Sequence, residues 1–455
     1  MTNSGAIIVG GGISGLATAY YLGKQGIHST LLERSERLGG LIRTDLIDGC
    51  QLEAGPDSYI AAKPAVSELA AELPGLKNEI IGSNDAVRRI FIVRDSELTP
   101  FPPGMVMMVP GELCPALRSP LFSAETKLRF LRESSFEPKQ RGEDVSIADF
   151  VSDHFGRESL EYVTEPLLSG VYGGDSASLS AKSVLPRFLD YEEKYGSLIR
   201  GVQQERKVQS TGSLFLSFHN GMQSLVDALS AAVTETTTVV HGEAIGLERI
   251  GESWRVSLKN EQYKSEQVVL ACPAHAAAAL LKPFAQPLSS ELEAIPFSSS
   301  VLVNLLFKKS EIRQALAGFG FLVPRPERRT IAAVTWINNK FPSRVADEFV
   351  ALRAFLVDPE STNLLTAPEA LIGDLVFADL DRFMGLKATP VFSQVTKWPR
   401  SMPQYLVGHE SRCNRIRQLL EVYRGLQLVT NALEGVGIPD CVRLAKKVAL
   451  QMAKG

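Results

Sequence analysis

Three glycines near the start of the chain, Gly10, Gly12 and Gly15, are spaced to bring backbone amides against a phosphate. They follow the short apolar run Ala6–Val9, which predicts a buried strand, and they precede a stretch of good helix formers. In such a unit the first glycine permits a tight turn, the second lets the backbone approach a pyrophosphate, and the third lets helix and strand pack closely. The helix N-terminus adds partial positive charge, so this stretch predicts a dinucleotide site.

An acid and an arginine-flanked turn follow at positions that suit the same dinucleotide site. The second predicted strand ends at Glu33, about 20 residues after the glycines, where a carboxylate can accept a hydrogen bond from a ribose. Beyond it, Arg34 and Arg43 flank the Gly39–Gly40 pair. Guanidinium groups on both sides of a backbone turn suit a diphosphate. The alternatives are an ordinary glycine-rich turn and a solvated charged loop.

The composition is that of a globular protein with two or three domains: 455 residues, 45% hydrophobic and 22% charged. A net charge of −3 argues against a nucleic-acid partner. The five cysteines and six histidines are scattered, so we expect a reducing compartment and no metal site. The first strand begins at residue 6 and no apolar run reaches about 18 residues, so we expect no targeting peptide, no transmembrane helix and a cytoplasmic location.

Two further stretches have two interpretations each. Residues 100–110 are rich in proline and methionine, and residues 121–133 are amphipathic with several basic residues. They predict either a helical subdomain or a contact with a membrane surface. The run Gly318–Phe319–Gly320 either lets the backbone crowd a planar ligand on which Phe319 stacks, or ends a bulged strand with a core phenylalanine.

Later motifs identify a family. The glycine fingerprint and the E-x-G-P segment of residues 53–56 resemble the FAD-containing amine oxidase superfamily. The W-P-R-S-M-P-Q-Y segment of residues 398–405 and the G-V-G-I-P-D-C segment of residues 435–441 resemble its oxygen-dependent porphyrinogen oxidases, which act on protoporphyrinogen or coproporphyrinogen. The resemblance runs in order over nearly the whole chain.

The chain departs from the family pattern at two positions. Asn220 replaces the first glycine of a G-G-M element, and Thr430 replaces a glycine beside the FAD pyrophosphate. The Cβ of Thr430 either crowds the pyrophosphate and weakens FAD binding, or the loop is displaced. Two alternatives therefore stay open: an amine or carotenoid oxidase of the same fold, and a non-catalytic relative similar to the GDP-dissociation inhibitors.

The resemblance implies an α/β (α+β) fold with a Rossmann-type FAD-binding domain of the p-hydroxybenzoate hydroxylase and amine oxidase kind. A mixed-sheet substrate domain and a helical, membrane-associating insertion complete it. The FAD domain comprises residues 1–62, 219–279 and 398–455. The substrate domain comprises residues 63–97, 199–218 and 280–397, and the insertion residues 98–198.

The implied reaction removes six electrons from a porphyrinogen in three two-electron steps during haem biosynthesis. FAD accepts the electrons and O2 reoxidises it, giving H2O2. The implied partners are the tetrapyrrole substrate, O2, the cytoplasmic membrane face and a ferrochelatase that takes the product. The implied assembly is a monomer or homodimer. No side chain is predicted as a general acid or base.

The family pattern also assigns residues. Arg89 pairs with a substrate carboxylate, Phe319 and Leu322 enclose a pyrrole ring beside Gly320, and the backbone at Gly170 lies beside the bridge carbon that loses hydride. The following residues are assigned to the cofactor: Gly10, Gly11, Gly12, Ile13, Ser14, Gly15, Glu33, Arg34, Gly39, Gly40, Leu41, Arg43, Gly55, Pro56, Asp57, Ser58, Ala244, Trp398, Asn431, Val436, Gly437 and Ile438.

Overall fold

A five-stranded parallel sheet organises the first domain. The computed structural model describes residues 2–3, 5–170, 172–205, 212–313, 317–357 and 359–454. The predicted strand Ala6–Val9 lies at the centre of the sheet with all its residues buried, as expected for a parallel strand covered on both faces. The strands, in spatial order, are Thr237–His241, Ser29–Glu33, Ala6–Val9, Val268–Leu270 and Leu426–Leu428.

Helices and a second sheet cover the parallel sheet. The helices are Ile13–Lys24, Ala65–Glu72, Gln223–Ala232, Ala274–Leu281, Gln286–Glu293, His409–Glu421 and Ile438–Met452. The second sheet has the order Thr2–Asn3, Gln262–Ser265, Ser253–Ser257 and Gly246–Ile250. The fold class predicted from the sequence is confirmed.

A mixed seven-stranded sheet forms the second domain. Its strands, in order, are Phe392–Pro403, Phe297–Lys308, Phe349–Val357, Ala333–Trp336, Gly320–Leu322, Ile90–Arg94 and Glu97–Pro100. Its helices are Ile337–Lys340, Glu360–Leu364 and Glu369–Met384. Val303 and Leu352 point to one face, where they pack with Ile372 and Val376 of the last helix. Side chains alternate along a strand, so the intervening residues face the first domain.

The third part is helical, with a short hairpin of Met105–Val106 and Val109–Pro110. Its helices are Leu113–Arg118, Ala124–Glu133, Ile147–Ser159, Glu165–Ser169, Ala181–Val184, Pro186–Tyr195 and Leu198–Gln204, with the π-helical turn Leu160–Thr164 between the third and fourth. Gly156 interrupts the third helix with φ +82°. In the described part of the chain, no helix is both long and apolar enough to cross a bilayer.

A buried charge cluster joins three of these helices. His154 lies between two carboxylates: Nδ1 is 2.9 Å from Glu133 and Nε2 is 3.2 Å from Glu192. A neutral imidazole donates from only one nitrogen, so this geometry favours the imidazolium. Burial opposes the charge, but the two carboxylates outweigh it and raise the pKa of His154 above its ordinary value.

Packing divides the chain differently from the predicted boundaries. The helices covering residues 274–293 bury Leu288 and Leu292 in the core of the first domain, as helix Ala65–Glu72 does with Val66. Strand Phe392–Pro403 crosses the predicted boundary at residue 398 because it pairs with Phe297–Lys308 on both sides of that boundary, with a register shift between Trp398 and Met402. The remaining short strands form two small sheets, one of Thr44–Ile47 with Cys50–Glu53 and one of Tyr59–Ile60, Phe215–Phe218 and Ile80–Gly82.

Candidate active site

The first helix presents an open N-terminus. Helix Ile13–Lys24 begins at Gly12 without a side-chain cap and without an acid in its first turn, as far as the described residues show. Four helices of the helical domain instead have their first turns capped by serine hydroxyls. The uncapped amides and the partial positive charge suit a phosphate.

The three glycines have different surroundings. Gly10 has φ +110°, which favours glycine, and a Cβ at Gly15 would lie 1.8 Å from the Gly10 carbonyl oxygen. Gly15 is therefore required for helix and strand to approach. At Gly12, the Gly40 Cα at 3.9 Å is the only described atom within 4 Å of an ideal Cβ. The space beside Gly12 and the open helix N-terminus fit the pyrophosphate of a dinucleotide.

Glu33 is fixed at the end of its strand. Its Oε2 accepts a hydrogen bond from the Gly11 amide at 2.7 Å, and its Oε1 accepts from the Ser35 amide at 2.8 Å. The Glu33 carbonyl accepts from the Gly242 amide at 2.7 Å, which brings the half-buried Ala244 to the same sheet edge. Strand ends from two distant parts of the chain therefore meet where the adenosine end is predicted.

The arginines around the glycine turn have different local partners. The Nε of Arg43 lies 2.9 Å from both carboxylate oxygens of Asp45, so this guanidinium forms a local ion pair, and its role at a diphosphate stays a prediction. Arg34 is exposed. Arg37 donates to the Ile42 carbonyl at 2.9 Å and to the Gly40 carbonyl, so it holds the glycine turn in shape. Asp45 lies only two residues after Arg43, and this spacing could have indicated the ion pair from the sequence.

A second helix N-terminus opens at the same edge of the sheet. Helix Ile438–Met452 begins at Gly437, again without a side-chain cap among the described residues, and packs beside the first helix. Its Asp440 pairs with Lys63 at 2.6 Å. The predicted residues Asn431 and Val436 lie in the loop that leads to this helix.

Thr430 lies at the start of that loop and is 3% exposed. Its Oγ1 accepts a hydrogen bond from the Ala432 amide at 3.3 Å. The hydroxyl is therefore bound to its own loop rather than directed at the open edge, which is how the chain accommodates a threonine at this position.

The E-x-G-P segment is tied down from the second domain. A Cβ at Gly55 would lie 1.7 Å from the Leu41 carbonyl oxygen, so the two predicted segments touch through their backbones. Trp398 Nε1 donates to the Ala54 carbonyl at 2.6 Å, and Arg353 donates to the Gly55 carbonyl. The half-buried Pro56 is thereby held between Gly55 and Asp57, which Lys340 anchors from the other side.

A second buried charge cluster, separate from that of His154, surrounds the E-x-G-P segment. Asp57 accepts hydrogen bonds from Lys340 Nζ at 2.8 and 3.1 Å and from the Ser58 hydroxyl at 2.7 Å, and Arg353 lies 3.3 Å away. Arg344 pairs with Glu53 at 3.0 Å. Burial opposes ionisation of Asp57, but Lys340 and Arg353 outweigh it and hold its pKa well below the usual range. Three cations thus meet two carboxylates beneath the predicted cofactor segment, an excess of one positive charge.

The sheet of the second domain presents a polar row to this cluster. Gln394, Asn304, Arg353, Thr335 and Gly320 stand opposite one another on five adjacent strands. Asn304 Nδ2 donates to the Glu53 carbonyl at 3.0 Å, which places the row against the E-x-G-P segment. Sequence reasoning missed Arg353, although it is the one charge in the apolar strand Phe349–Val357.

An apolar row lies beside the polar one on the same face. Leu302, Phe355, Ala333 and Leu322 stand opposite one another on four strands. Ala333 has a small side chain, so the surface of the sheet is depressed between Phe355 and Leu322. These two residues lie about 10 Å apart, because two strand spacings separate them. We refer to this row as the apolar trough; it lies beside the polar row that contacts the cofactor segment, and its Leu322 also packs against the core of the helical domain. The sequence analysis did not predict Phe355. Its position two residues from Arg353 places it on the same face of the strand, and this spacing could have indicated it.

The other predicted substrate residues lie towards opposite ends of the strands: Arg89 and Phe319 at the Gly320 end, and the Gly170 turn at the Ser298 end. Arg89 is exposed, and its carbonyl accepts from the Phe319 amide at 2.7 Å. Phe319 is largely buried, at 6% exposed, and its role beside a pyrrole ring stays a prediction. Gly170 ends helix Glu165–Ser169 and is exposed, with no described atom within 4 Å of an ideal Cβ. Tyr172, two residues on, contacts strand Phe297–Lys308 through its carbonyl, which accepts from Ser298 Oγ at 3.0 Å.

The site combines features that are typical of dinucleotide-binding enzymes: a glycine loop, an acid at the next strand end and two open helix N-termini on one parallel sheet. The chain belongs to the family of flavin containing amine oxidoreductases, whose model matches residues 13–453.

Individual relatives narrow the comparison. The chain is 32% identical to a coproporphyrinogen III oxidase of Bacillus subtilis (strain 168), covering 97% of this chain and 96% of the relative. It is 30% identical to a coproporphyrinogen III oxidase of Staphylococcus aureus, covering 99% and 98%. The solved structure of a proposed protoporphyrinogen oxidase from Exiguobacterium sp. 255-15 superposes with a TM-score of 0.89 at 30% identity, covering 99% and 98%.

The predicted family and cofactor are confirmed: the protein is an FAD-dependent oxidoreductase. The non-catalytic alternative is thereby excluded. The individual contact residues stay predictions. Those that the geometry supports best are the loop Gly10–Gly12, Glu33, Gly55 and the two helix N-termini.

Proposed function

We propose that this protein oxidises coproporphyrinogen III to coproporphyrin III in haem biosynthesis, with O2 as electron acceptor and H2O2 as product. The observation that carries the proposal is the apolar trough of Leu322, Ala333 and Phe355, which lies beside the polar row that contacts the anchored E-x-G-P segment. The exposed Arg89 lies on the other side of that polar row, directly before Ile90, which pairs with Gly320. The B. subtilis and S. aureus relatives, which are named for coproporphyrinogen III, favour that substrate over protoporphyrinogen.

The substrate chemistry agrees with the site. A porphyrinogen is a large, apolar, non-planar macrocycle with acidic propionates, so its site needs an apolar wall and a cation. The trough supplies the wall and Arg89 the cation; a charge-assisted bond of this kind contributes roughly 1.5–3 kcal/mol. The open space at Gly170 admits the macrocycle edge close to the backbone. When bound, FAD accepts the electrons and passes them to O2.

The setting of the reaction is also proposed. Helix Ala124–Glu133 exposes Leu128 (54%) and Leu131 (49%) beside Arg129 and Arg132. Exposed leucines with neighbouring cations suit the surface of an anionic membrane, where a peripheral enzyme meets apolar tetrapyrroles. The porphyrin product then passes to a ferrochelatase.

The test compares substrates and one arginine. We expect the purified protein to oxidise coproporphyrinogen III with a higher kcat/KM than protoporphyrinogen IX, measured by porphyrin fluorescence above the autoxidation rate. Arg89→Ala should raise KM about tenfold or more at unchanged FAD content, because the lost bond is charge-assisted. Arg88→Ala is the control, because Arg88 pairs with Asp85 at 3.3 Å.

Two results would contradict the proposal. A preference for protoporphyrinogen IX would refute the choice of substrate. Equal kinetics for Arg89→Ala and wild type would remove Arg89 from the site.

A further inference from the structure

The hydroxyl of Tyr405 connects the two ends of the loop that leads to the second helix N-terminus. It donates to the Asn431 carbonyl at 2.6 Å and accepts from the Gly435 amide at 2.9 Å. Gly435 has φ +116°, a conformation that favours glycine at this point of the loop. A single side-chain atom therefore closes the turn between residues 431 and 435.

Tyr405 itself has little freedom. Its side chain is 3% exposed, and its ring stacks on His409 with centroids 4.1 Å apart and planes 11° apart. Its carbonyl accepts from the Ser180 amide at 2.7 Å, which ties the backbone to the helical domain. The position of the hydroxyl is thus set by elements outside the loop that it holds.

Gln404, the residue before Tyr405, is anchored to the predicted substrate side. Gln404 Nε2 donates to Ser298 Oγ at 2.9 Å and to the Tyr172 carbonyl. Tyr172 follows the Gly170 turn, whereas Tyr405 binds the loop before helix Ile438–Met452. Two adjacent residues therefore connect the predicted substrate side and the predicted cofactor side.

We propose that Tyr405 is a positioning residue for FAD: its hydroxyl fixes the loop Asn431–Gly435 so that the open N-terminus of helix Ile438–Met452 faces the cofactor. The proposal concerns FAD binding only, so it stands or falls independently of the porphyrinogen assignment. The loop's backbone groups lose their partner when the hydroxyl is removed, and the loop then relaxes before FAD binds.

The test uses Tyr405→Phe, which keeps the ring and its stacking on His409. We expect the Kd of FAD to rise about tenfold or more, since the change removes two hydrogen bonds of a buried hydroxyl. The visible circular dichroism of the bound flavin should change as well. Tyr21→Phe is the matched control, because within the described structure the buried Tyr21 hydroxyl has no hydrogen-bond partner.

The readouts separate positioning from general stabilisation. A role confined to stability would lower the melting temperature and leave the FAD Kd within twofold of wild type, and that result would overturn the proposal. Hydrogen exchange in the wild-type protein gives a second test that needs no variant. The Gly435 amide should exchange slowly, and rapid exchange would show that the bond to Tyr405 is not formed.

Discussion

The buried charge cluster beneath the E-x-G-P segment predicts an asymmetry between two substitutions. Lys340 and Asp57 are 2.8 Å apart, with side chains only 11% and 16% exposed. Removing one member of a buried ion pair typically costs 3–5 kcal/mol. Lys340→Met leaves two cations with two carboxylates, whereas Asp57→Asn leaves three cations with one carboxylate, Glu53.

We therefore expect Lys340→Met to lower the free energy of unfolding by about 3 kcal/mol and Asp57→Asn by about 4–5 kcal/mol. The double variant should cost about 2 kcal/mol less than the sum, because the two groups interact directly. Urea unfolding followed by circular dichroism, at fixed FAD concentration, measures these changes.

Lys24→Met is the matched control for this series. Lys24 pairs with Glu72 at 2.6 Å, but its side chain is 48% exposed, and exposed pairs contribute about 1 kcal/mol or less. Equal losses for Lys340→Met and Lys24→Met would refute the reasoning, as would a smaller loss for Asp57→Asn than for Lys340→Met.

Three further outcomes follow from other parts of the molecule. The raised pKa of His154 means that its stabilisation is complete below the ordinary value of about 6.5 and is lost as pH rises through the raised value, so His154→Gln should flatten the dependence of unfolding free energy on pH in that window. Gly12→Val should fold but purify without FAD, whereas Gly15→Val should fail to fold because its Cβ would lie 1.8 Å from a backbone oxygen; a yellow Gly12→Val protein would contradict this. Replacing Leu128 and Leu131 by serine should reduce binding to anionic vesicles several-fold in a flotation assay at unchanged melting temperature, and equal flotation would refute a membrane role for this helix.

Local patterns were enough to predict the first strand–helix–strand unit and the cofactor class. The turn at Gly10, the packing at Gly15 and the acid Glu33 all lie within one strand–helix–strand unit, so spacing along the chain determines their arrangement. Thr430 departs from the family pattern, which has a glycine there. Whether its side chain crowds the pyrophosphate depends on the direction of its hydroxyl, and only the structure of the loop shows that direction.

The contacts between the two domains depend on pairings that local spacing does not encode. Lys340 and Asp57 are 283 residues apart in sequence, and their contact follows from how the two sheets face each other. Arg353 sits in an apolar strand, where a lone charge gives no indication of its partner. Phe319 is largely buried, and its amide donates to the Arg89 carbonyl, a contact between distant segments that the flanking glycines do not encode.

The most direct test of the central claim is a single experiment on the purified protein. Its absorption spectrum is recorded, coproporphyrinogen III is added in air, and porphyrin fluorescence and H2O2 are followed together. We predict flavin bands, porphyrin formation well above autoxidation, and one H2O2 for each electron pair removed. Flavin bands without accelerated porphyrin formation would contradict the porphyrinogen oxidase assignment and direct attention to amine or carotenoid substrates.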